Sequence, residues 1–315
     1  MVKSNRQKNT SDLHLQNTVF RWSFVSPKYW LLWLWFALLW LVTRLPYAWM
    51  RWLARSFGLS LFYVVRSRRR VALRNLELCF PDWSEARRLA VVREHFAGAG
   101  LTLFESGLVW WSDKDKLARL FNVDDSSLAL IKKLEGKPVL FFGLHNTCVE
   151  IVYAYLSLLR PYHVLFRVNN NAFWEYMATR SRSRFDVRLV PRKQVGEFLD
   201  NLRRGNAGLL AADQDLGRKR SVFVPFFGVT AATVTSLHDF SAQTGAQVVF
   251  AEAFRNESGY ELKLHELEGF PSDDAWSDTL RMNQMIESSV VRHPDQYLWL
   301  HKRFKTRPDG EKSLY

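Results

Sequence analysis

Short apolar segments alternate with amphipathic segments along most of the chain beyond Pro81. The apolar segments have the length of strands and lie at 138–142, 162–166, 187–190, 207–212 and 247–253. The segments between them repeat apolar residues at intervals of three and four, which predicts helices. Strands separated by helices of about ten residues indicate a mainly parallel sheet with helices on its faces. We therefore expect an α/β fold with a mainly parallel central sheet.

Two helical segments are predicted ahead of the first of these strands, at 84–111 and 114–134. Ser84 suits the N-cap of the first one, and Glu85 gives its first turn an acidic residue. Near the end of the chain we predict an antiparallel strand at 260–265 and a closing helix at 273–292. The helices between the strands are predicted at 148–159, 173–184, 194–204 and 236–244.

An uncharged, tryptophan-rich run occupies residues 29–43, between Lys28 and Arg44. As a helix it measures about 22 Å, which is shorter than the roughly 30 Å hydrocarbon core of a bilayer. It can span a membrane only if residues 45–50 extend it; otherwise it lies partly inserted, with its tryptophans at the headgroups. We predict a basic N-terminal lead at 1–28, an uncleaved membrane-anchor helix region at 29–56 and a single α/β domain at 57–315.

The chain of 315 residues has a formal net charge of +13, which predicts an acidic partner. The candidates are nucleic acid, an anionic membrane surface, a phosphorylated substrate and an acidic protein. Arginines follow the apolar run, with no acidic residue before Glu77, which favours anionic lipid headgroups and a cytoplasmic globular part. Nucleic acid is not expected, because no recognition-helix, zinc-finger or RNP pattern accompanies the charge. Cys79 and Cys148 show no metal-type spacing, so structural zinc is not expected either.

Residues 143–150 read Gly-Leu-His-Asn-Thr-Cys-Val-Glu and place a histidine and a carboxylate five positions apart after a predicted strand. Open α/β sheets bind ligands beyond the carboxyl ends of their strands. A neutral imidazole can take a proton from a hydroxyl, and a carboxylate can orient the ring and stabilise its charged form. We predict His145 as a general base and Glu150 as its partner. The alternative is a structural histidine bonded to a backbone carbonyl.

Further polar clusters also follow predicted strands. Arg167 opens Arg-Val-Asn-Asn-Asn at 167–171, and its guanidinium suits a phosphate or carboxylate, although it also fits a surface arginine. Asp213-Gln214-Asp215 follows the strand at 207–212, and an Asp-x-Asp in that place is also what a metal-dependent glycosyltransferase uses to hold a divalent ion. The apolar segment 221–228 is either a core strand and turn or the lining of an acyl-chain tunnel.

These motifs, in this order and spacing, resemble the late acyltransferases of lipid A biosynthesis, the lauroyl and myristoyl transferases of the lysophospholipid acyltransferase superfamily. The resemblance extends over nearly the whole chain. Its most specific part is Asp-Gln-Asp-x-Gly-x4-Val-Phe-Val-Pro-Phe-Phe-Gly at 213–228, with Gly-x-His-x4-Glu at 143–150 and Arg-x-Asn-Asn-Asn at 167–171. Ala172 departs from the pattern, since the family more often has proline there.

The resemblance implies a glycerolipid acyltransferase-like domain on the cytoplasmic face of a bacterial inner membrane. It implies that a fatty acyl group of lauroyl or myristoyl length passes from acyl carrier protein to a hydroxyl of an acyl chain on a lipid A precursor. His145 and Glu150 would catalyse this step without a metal or a bound cofactor. The residues expected to contact substrate are Arg167, Asn169, Arg182, Asp213, Gln214 and Arg218.

Two other functions stay open on the sequence. One is metal-dependent glycosyl transfer through Asp213 and Asp215, and the other is a non-catalytic, lipid-binding membrane protein. Cys148 also lies within the motif and is a candidate for a nucleophile that accepts the acyl group covalently, paired with His145. A buried cysteine at the start of a helix more often serves packing, so we expect Cys148 to be uninvolved in the chemistry.

Overall fold

A seven-stranded, mainly parallel sheet forms the centre of the protein. The computed structural model describes residues 19–315, so the first eighteen residues of the predicted basic lead lie outside the described part of the chain. The strands are β1 (Phe121–Val123), β2 (Val139–Gly143), β3 (Tyr162–Phe166), β4 (Val187–Pro191), β5 (Ala207–Ala211), β6 (Ser221–Phe226), β7 (Val229–Val234), β8 (Gln247–Arg255) and β9 (Tyr260–Glu266).

The large sheet has the strand order β1-β9-β8-β2-β5-β3-β4, and β6 and β7 form a separate antiparallel hairpin. Every neighbouring pair in the large sheet is parallel except β8 and β9. The predicted α/β class, with a mainly parallel sheet and an antiparallel last strand, is therefore confirmed. The segment 221–228 is a strand and its turn, in which Phe227 and Gly228 both have positive φ, as a tight hairpin turn requires.

From residue 84 onwards the helices follow the predicted order, except over 114–134; the helix at 66–79 was not predicted. The helices are α1 (Trp30–Val42), α2 (Tyr47–Val64), α3 (Arg66–Cys79), α4 (Glu85–Trp111), α5 (Lys114–Ala118), α6 (Asp125–Lys133), α7 (Val149–Leu159), α8 (Ala172–Arg182), α9 (Val195–Arg203), α10 (Ser236–Thr244) and α11 (Ala275–Arg292). Ser84 caps α4 as predicted, because its side chain accepts a hydrogen bond from the backbone N–H of Arg87.

Strand β2 divides the interior into two apolar cores. Its side chains alternate between them, with Val139 and Phe141 in one core and Leu140 and Phe142 in the other. All five residues of the strand are buried. A strand in the middle of a parallel sheet is covered on both faces, so it is apolar throughout rather than alternately polar. The residues that follow it are thereby fixed at the centre of the molecule.

The prediction of a single helix over 114–134 is wrong in the middle of that segment. Two short helices lie there instead, and β1 between them pairs in parallel with the start of β9. Phe121 stacks on Tyr155 and Tyr260, with ring centroids 4.0 and 4.9 Å apart. Asp124 caps α6 by accepting from the N–H of Ser127, which starts a new helix after the strand. Tertiary pairing and a local cap override the helical periodicity here.

The predicted anchor region at 29–56 is not one helix. Helix α1 ends at Val42, and α2 begins at Tyr47 with Pro46 as its N-cap. Proline lacks an N–H and excludes the helical conformation from the residue before it, so the chain turns here. Helix α2 continues to Val64, across the boundary predicted at 56. Among residues 19–315 we find no helix with the length and apolarity needed to cross a membrane.

A buried ion pair connects α4 to the end of β8. Arg255 donates from Nε and Nη2 to the two carboxylate oxygens of Glu105, at 2.6 Å each, and Tyr260 donates to Glu105 at 2.5 Å. The same arginine donates from Nη1 to Oγ1 of Thr147 at 3.1 Å, and from Nη2 to the Thr147 carbonyl. Buried charges are tolerated only when they are paired and hydrogen-bonded in this way. The pair therefore also holds the segment that follows β2.

We expect Arg255→Met to lower the free energy of unfolding by about 3–5 kcal/mol, because it leaves the Glu105 carboxylate buried without its partner. The double variant Arg255→Met/Glu105→Leu should regain a substantial part of that loss. Glu94→Gln, which breaks the exposed pair of Glu94 with Arg55, is the matched control and should cost under about 1 kcal/mol. Urea unfolding in detergent, followed by tryptophan fluorescence, measures all three. Equal losses in Arg255→Met and Glu94→Gln would contradict a structural role for the buried pair.

Candidate active site

His145 and Asp213 meet because two neighbouring strands end at the same level. Strands β2 and β5 pair in parallel, with Gly143 opposite Ala211. His145 lies two residues beyond the first and Asp213 two residues beyond the second. The Nδ1 of His145 is 2.5 Å from Oδ1 of Asp213, and the backbone N–H of His145 donates to Oδ2 at 2.9 Å. One carboxylate thus holds both the ring and the backbone of the histidine.

This contact determines the chemistry that the imidazole can perform. With Nδ1–H donated to Asp213, the lone pair of Nε2 is left to accept a proton. The side chain of His145 is 26% exposed, whereas that of Asp213 is 1% exposed. The carboxylate is therefore shielded from water while the ring remains accessible, which is the arrangement of a general base and its orienting group.

The charge of Asp213 controls the protonation of His145. Burial disfavours the imidazolium, but the charge and hydrogen bond of Asp213 outweigh burial and raise the pKa of His145, while Arg192 opposes that rise. Burial likewise disfavours the Asp213 carboxylate, but His145 outweighs it and lowers the pKa of Asp213. The two shifts have opposite directions, as expected of an ion pair that stabilises both charged forms.

The structure does not bring Glu150 to the His145 ring as the sequence predicted. Glu150 lies in the first turn of α7 and accepts from Nε and Nη2 of Arg182, at 3.2 and 3.0 Å. A spacing of five residues across the start of a helix turns the carboxylate towards the end of α8, where Arg182 lies. The ring's carboxylate partner comes instead from β5. Glu150 and Arg182, both predicted as site residues, form a bidentate pair of their own.

The asparagines after β3 shape the start of α8. Oδ1 of Asn171 accepts from the N–H groups of Phe173 and Trp174, and Oδ1 of Asn169 accepts from the N–H of Asn171. Asn169 also donates its backbone N–H to Glu175 at 2.8 Å. The predicted motif therefore has a visible capping role. Arg167 is exposed at the end of β3.

The polar residues that follow β5 contact different partners. Gln214 is half-buried beside His145, whereas Arg218 is exposed and pairs with Asp309 at 2.9 Å. Asp215 is buried and accepts from the backbone N–H and the hydroxyl of Thr306, at 2.7 and 2.8 Å. Asp213 and Asp215 are thus each bonded to protein groups. Within residues 19–315 no three His, Cys, Asp or Glu side chains are grouped as a metal site.

Cys148 is the N-cap residue of α7 and is fully buried. Burial raises the pKa of its thiol to about 12. The thiolate is the nucleophilic form of cysteine, so this thiol is unreactive near neutral pH. Its Sγ contacts Oδ1 of Asn146 at 3.4 Å, in keeping with a packing role.

Two neighbouring cavities share part of their walls, and His145 lines one of them. The larger has a volume of about 700 Å³, and His145 and Gln214 line it together with apolar residues of β5, α9 and α10. The smaller, of about 190 Å³, has mostly apolar walls and contains the Glu150 and Arg182 pair. They share three lining residues, which are Tyr153, Val164 and Leu165. Apolar cavities with a few convergent polar groups suit a substrate that carries an alkyl chain.

Three features of this site were missed from the sequence. The pairing of Asp213 with His145 was detectable in principle, because both residues lie two positions beyond strands that are neighbours in the sheet. Arg192 lines the larger cavity but was not singled out, because nothing in the sequence distinguishes it from the many other arginines of this basic chain. Tyr153 gave no signal in the sequence, since its place between the two cavities follows from the packing of α7.

Comparisons with known proteins identify the family that the chain resembles. Residues 17–306 match the family described as bacterial lipid A biosynthesis acyltransferase. The chain is 34% identical to the lipid A biosynthesis palmitoleoyltransferase of Escherichia coli, with 94% of this chain and 98% of that protein covered. It is 33% identical to the lipid A biosynthesis lauroyltransferase of the same bacterium, with 94% of this chain and 98% of that protein covered. It is 29% identical to the lipid A biosynthesis myristoyltransferase, with 93% of this chain and 92% of that protein covered.

We expect Asp213→Asn to lower the pKa of His145, because the variant removes the negative charge that stabilises the imidazolium. Glu150→Gln, which alters the carboxylate bonded to Arg182, should leave that pKa close to the wild-type value. NMR titration of the imidazole resonances measures both. His95, whose pKa burial lowers to about 4, serves as an internal reference that stays neutral while His145 titrates. A larger shift in Glu150→Gln than in Asp213→Asn would show that Glu150 is the partner after all.

Proposed function

Because the chain belongs to the bacterial lipid A biosynthesis acyltransferase family, we propose that it transfers a fatty acyl group from acyl carrier protein to a hydroxyl on an acyl chain of a lipid A precursor. The pair of His145 and Asp213, with the imidazole lining a cavity that has mostly apolar walls, is the observation that carries this proposal. A protonated Nδ1 and a free Nε2 are what the attack of a hydroxyl on a thioester requires.

The proposed reaction has two steps around a tetrahedral intermediate. Nε2 of His145 accepts the proton of the acceptor hydroxyl as its oxygen bonds to the thioester carbonyl carbon. The intermediate then collapses, the carbon–sulfur bond breaks, and the imidazolium returns the proton to the departing thiolate. Asp213 stabilises the imidazolium between these steps and keeps the ring in one tautomer. The acyl group ends as an ester, and the carrier leaves as a free thiol.

Glu150 and Arg182 have a different proposed role at the same site. Their bidentate contact fixes the Arg182 guanidinium in the smaller cavity. Charge and hydrogen bonding to Glu150 outweigh burial and raise the pKa of Arg182, so it stays cationic. A cation held in an apolar cavity can contact a carbonyl or phosphate oxygen of the substrate. Glu150 then acts in catalysis by positioning Arg182.

The other residues predicted to contact substrate have proposed roles that depend on where they lie. Gln214 shares the larger cavity with His145 and can hydrogen-bond a substrate near the reacting atoms. Arg167 and Arg218 are exposed and are proposed to meet the charged parts of the acceptor. Asn169 is proposed to act by holding the segment that follows Arg167. The lauroyl, myristoyl and palmitoleoyl names of the relatives support a long saturated or unsaturated chain, and we propose lauroyl or myristoyl length for this protein.

The proposed donor and location fit the charge of the protein. Acyl carrier proteins are acidic, and the net charge of +13 favours their association. An exposed apolar face on α1, the start of α2 and the preceding 3₁₀ turns supports a position on the cytoplasmic face of the inner membrane. Its most exposed members are Trp22 and Leu31, at 85% and 82%, and the others include Trp30, Leu34, Leu41, Trp49 and Trp52. Such a face lies in the interface beside anionic lipids without crossing the bilayer.

We expect His145→Ala to lower kcat about 10²- to 10⁴-fold, because the general base is lost. Asp213→Asn should also lower kcat, and Cys148→Ala, which truncates a buried thiol, should remain close to wild type. The assay follows labelled acyl groups from acyl carrier protein to a lipid A precursor. It is run with and without EDTA, which should have no effect. Activity that requires a divalent ion and a nucleotide sugar would instead support glycosyl transfer.

We expect Leu31→Gln/Leu34→Gln to reduce co-sedimentation with vesicles that contain anionic phospholipid, because both side chains belong to the exposed apolar face. Leu128→Gln/Val291→Gln is the matched control, since it replaces two exposed apolar residues elsewhere, on α6 and α11. Full activity on soluble substrate analogues would show that both double variants are folded. Equal membrane binding by the two double variants would contradict the proposed docking face.

A further inference from the structure

The rim of the larger cavity is cationic on two sides. Arg192 lies one residue beyond the end of β4, and Lys219 and Arg220 lie directly before β6. All three line the same cavity as His145, although the two segments are far apart in the chain. Their convergence is therefore a product of the fold. Arg192 is close enough to His145 for its charge to oppose the imidazolium.

The backbone fixes both segments. The N–H of Arg192 donates to the Phe166 carbonyl at 3.0 Å, which connects it to the end of β3. Arg220 has φ of 61°, a left-handed conformation that costs energy in a residue with a side chain. Its carbonyl accepts from the N–H of Thr235 at 3.3 Å. The chain thus keeps a strained arginine at the cavity, where glycine or asparagine would relieve the strain.

These three cations differ from neighbouring arginines in their partners. Arg182 is paired with Glu150, Arg218 with Asp309 and Arg307 with Glu311. Within residues 19–315 the side chains of Arg192, Lys219 and Arg220 form no ion pair or hydrogen bond. The one carboxylate among the residues lining this cavity belongs to Asp239, which is bonded to the hydroxyl of Thr235 at 2.7 Å. Three cations that have no partner in the described part of the chain, all around one cavity, leave a site for an anion.

The chemistry of the cavity narrows the choice of anion. Its walls include Leu199, Leu209 and Phe240, so the bound molecule has an apolar part as well as a charge. Guanidinium groups bind phosphate through paired N–H donors, and lysine adds a point charge. A phosphate on an alkyl-bearing substrate satisfies both requirements. Both substrates of the proposed acyl transfer carry one, since the carrier's prosthetic arm has a phosphodiester and the acceptor has sugar phosphates.

We propose that Arg192, Lys219 and Arg220 form a phosphate subsite at the rim of the cavity, which holds a phosphorylated substrate with its reacting end at His145. This inference rests on the acyl transfer proposed above and adds a substrate contact to it. The phosphate comes from either the acyl donor or the acceptor, and kinetics with the two substrates varied separately distinguish these sources.

The test replaces all three cations with glutamine, as Arg192→Gln/Lys219→Gln/Arg220→Gln. We expect KM for the phosphate-bearing substrate to rise about tenfold or more, because charged hydrogen bonds are lost. At a pH well above the pKa of His145, where loss of the Arg192 charge does not change the protonation of the ring, kcat at saturation should change less than about threefold. If the donor supplies the phosphate, KM for acyl carrier protein rises, and KM for an acyl N-acetylcysteamine thioester, which lacks phosphate, does not. If the acceptor supplies it, KM for the lipid A precursor rises. With a precursor that lacks the bound phosphate, the wild-type protein and the triple variant should then have the same KM.

The matched control is Arg203→Gln/Arg204→Gln/Arg281→Gln, which removes the same charge from residues that do not line this cavity. It measures how much a general loss of positive charge weakens the approach of an acidic carrier. Equal KM values in the two triple variants would overturn the subsite. Calorimetric binding of the acceptor and of acyl carrier protein gives a second readout that does not need turnover. Absence of any acyl product with the wild-type protein would instead refute the proposed function.

Discussion

The parallel pairing of β2 with β5 is the constraint on which the site depends. Both strands lie inside the sheet, and their register sets Gly143 opposite Ala211. Two residues beyond the end of each strand, the imidazole of His145 and the carboxylate of Asp213 are in contact at 2.5 Å. A shift of register by one residue would turn one of these side chains to the other face of the sheet. The two apolar cores on either side of β2 therefore also fix the geometry of the His145 and Asp213 pair, to which we assign the proton transfer.

The segment that carries His145 is held from several directions at once. The carbonyl of His145 accepts from the N–H of Leu298 at 2.9 Å, and the N–H of Thr147 donates to the Gln296 carbonyl at 2.8 Å. The amide of Asn146 donates to the Ala253 carbonyl at 2.8 Å. Below these contacts, Arg255 connects Thr147 to the buried Glu105. A side chain supported by rigid elements on all sides loses little freedom when substrate binds, which suits the catalytic role that we propose for His145.

The protein uses its many basic residues in two ways. Some are paired with carboxylates or backbone carbonyls and stabilise the fold, as Arg255 does in the interior. Others, such as Arg192 and Lys219, have no intramolecular partner among the described residues and surround the cavity that contains His145. The net charge of the sequence does not show which basic residues are paired, because pairing depends on residues that are distant in the chain. The paired and unpaired basic residues can be distinguished only when the contacts are known.

The sequence by itself determined the α/β class, the order of most elements and the place of His145 at a strand end. These features follow from local periodicity and from strand and cap residues, which act over a few positions. Tertiary structure decided the strand at 121–123, the break before Pro46 and the partner of His145. Glu150 was favoured as that partner because it is near in sequence, whereas Asp213 is 68 residues away and arrives through the sheet. Strand order and register depend on packing between distant segments, and local sequence patterns carry no direct record of that packing.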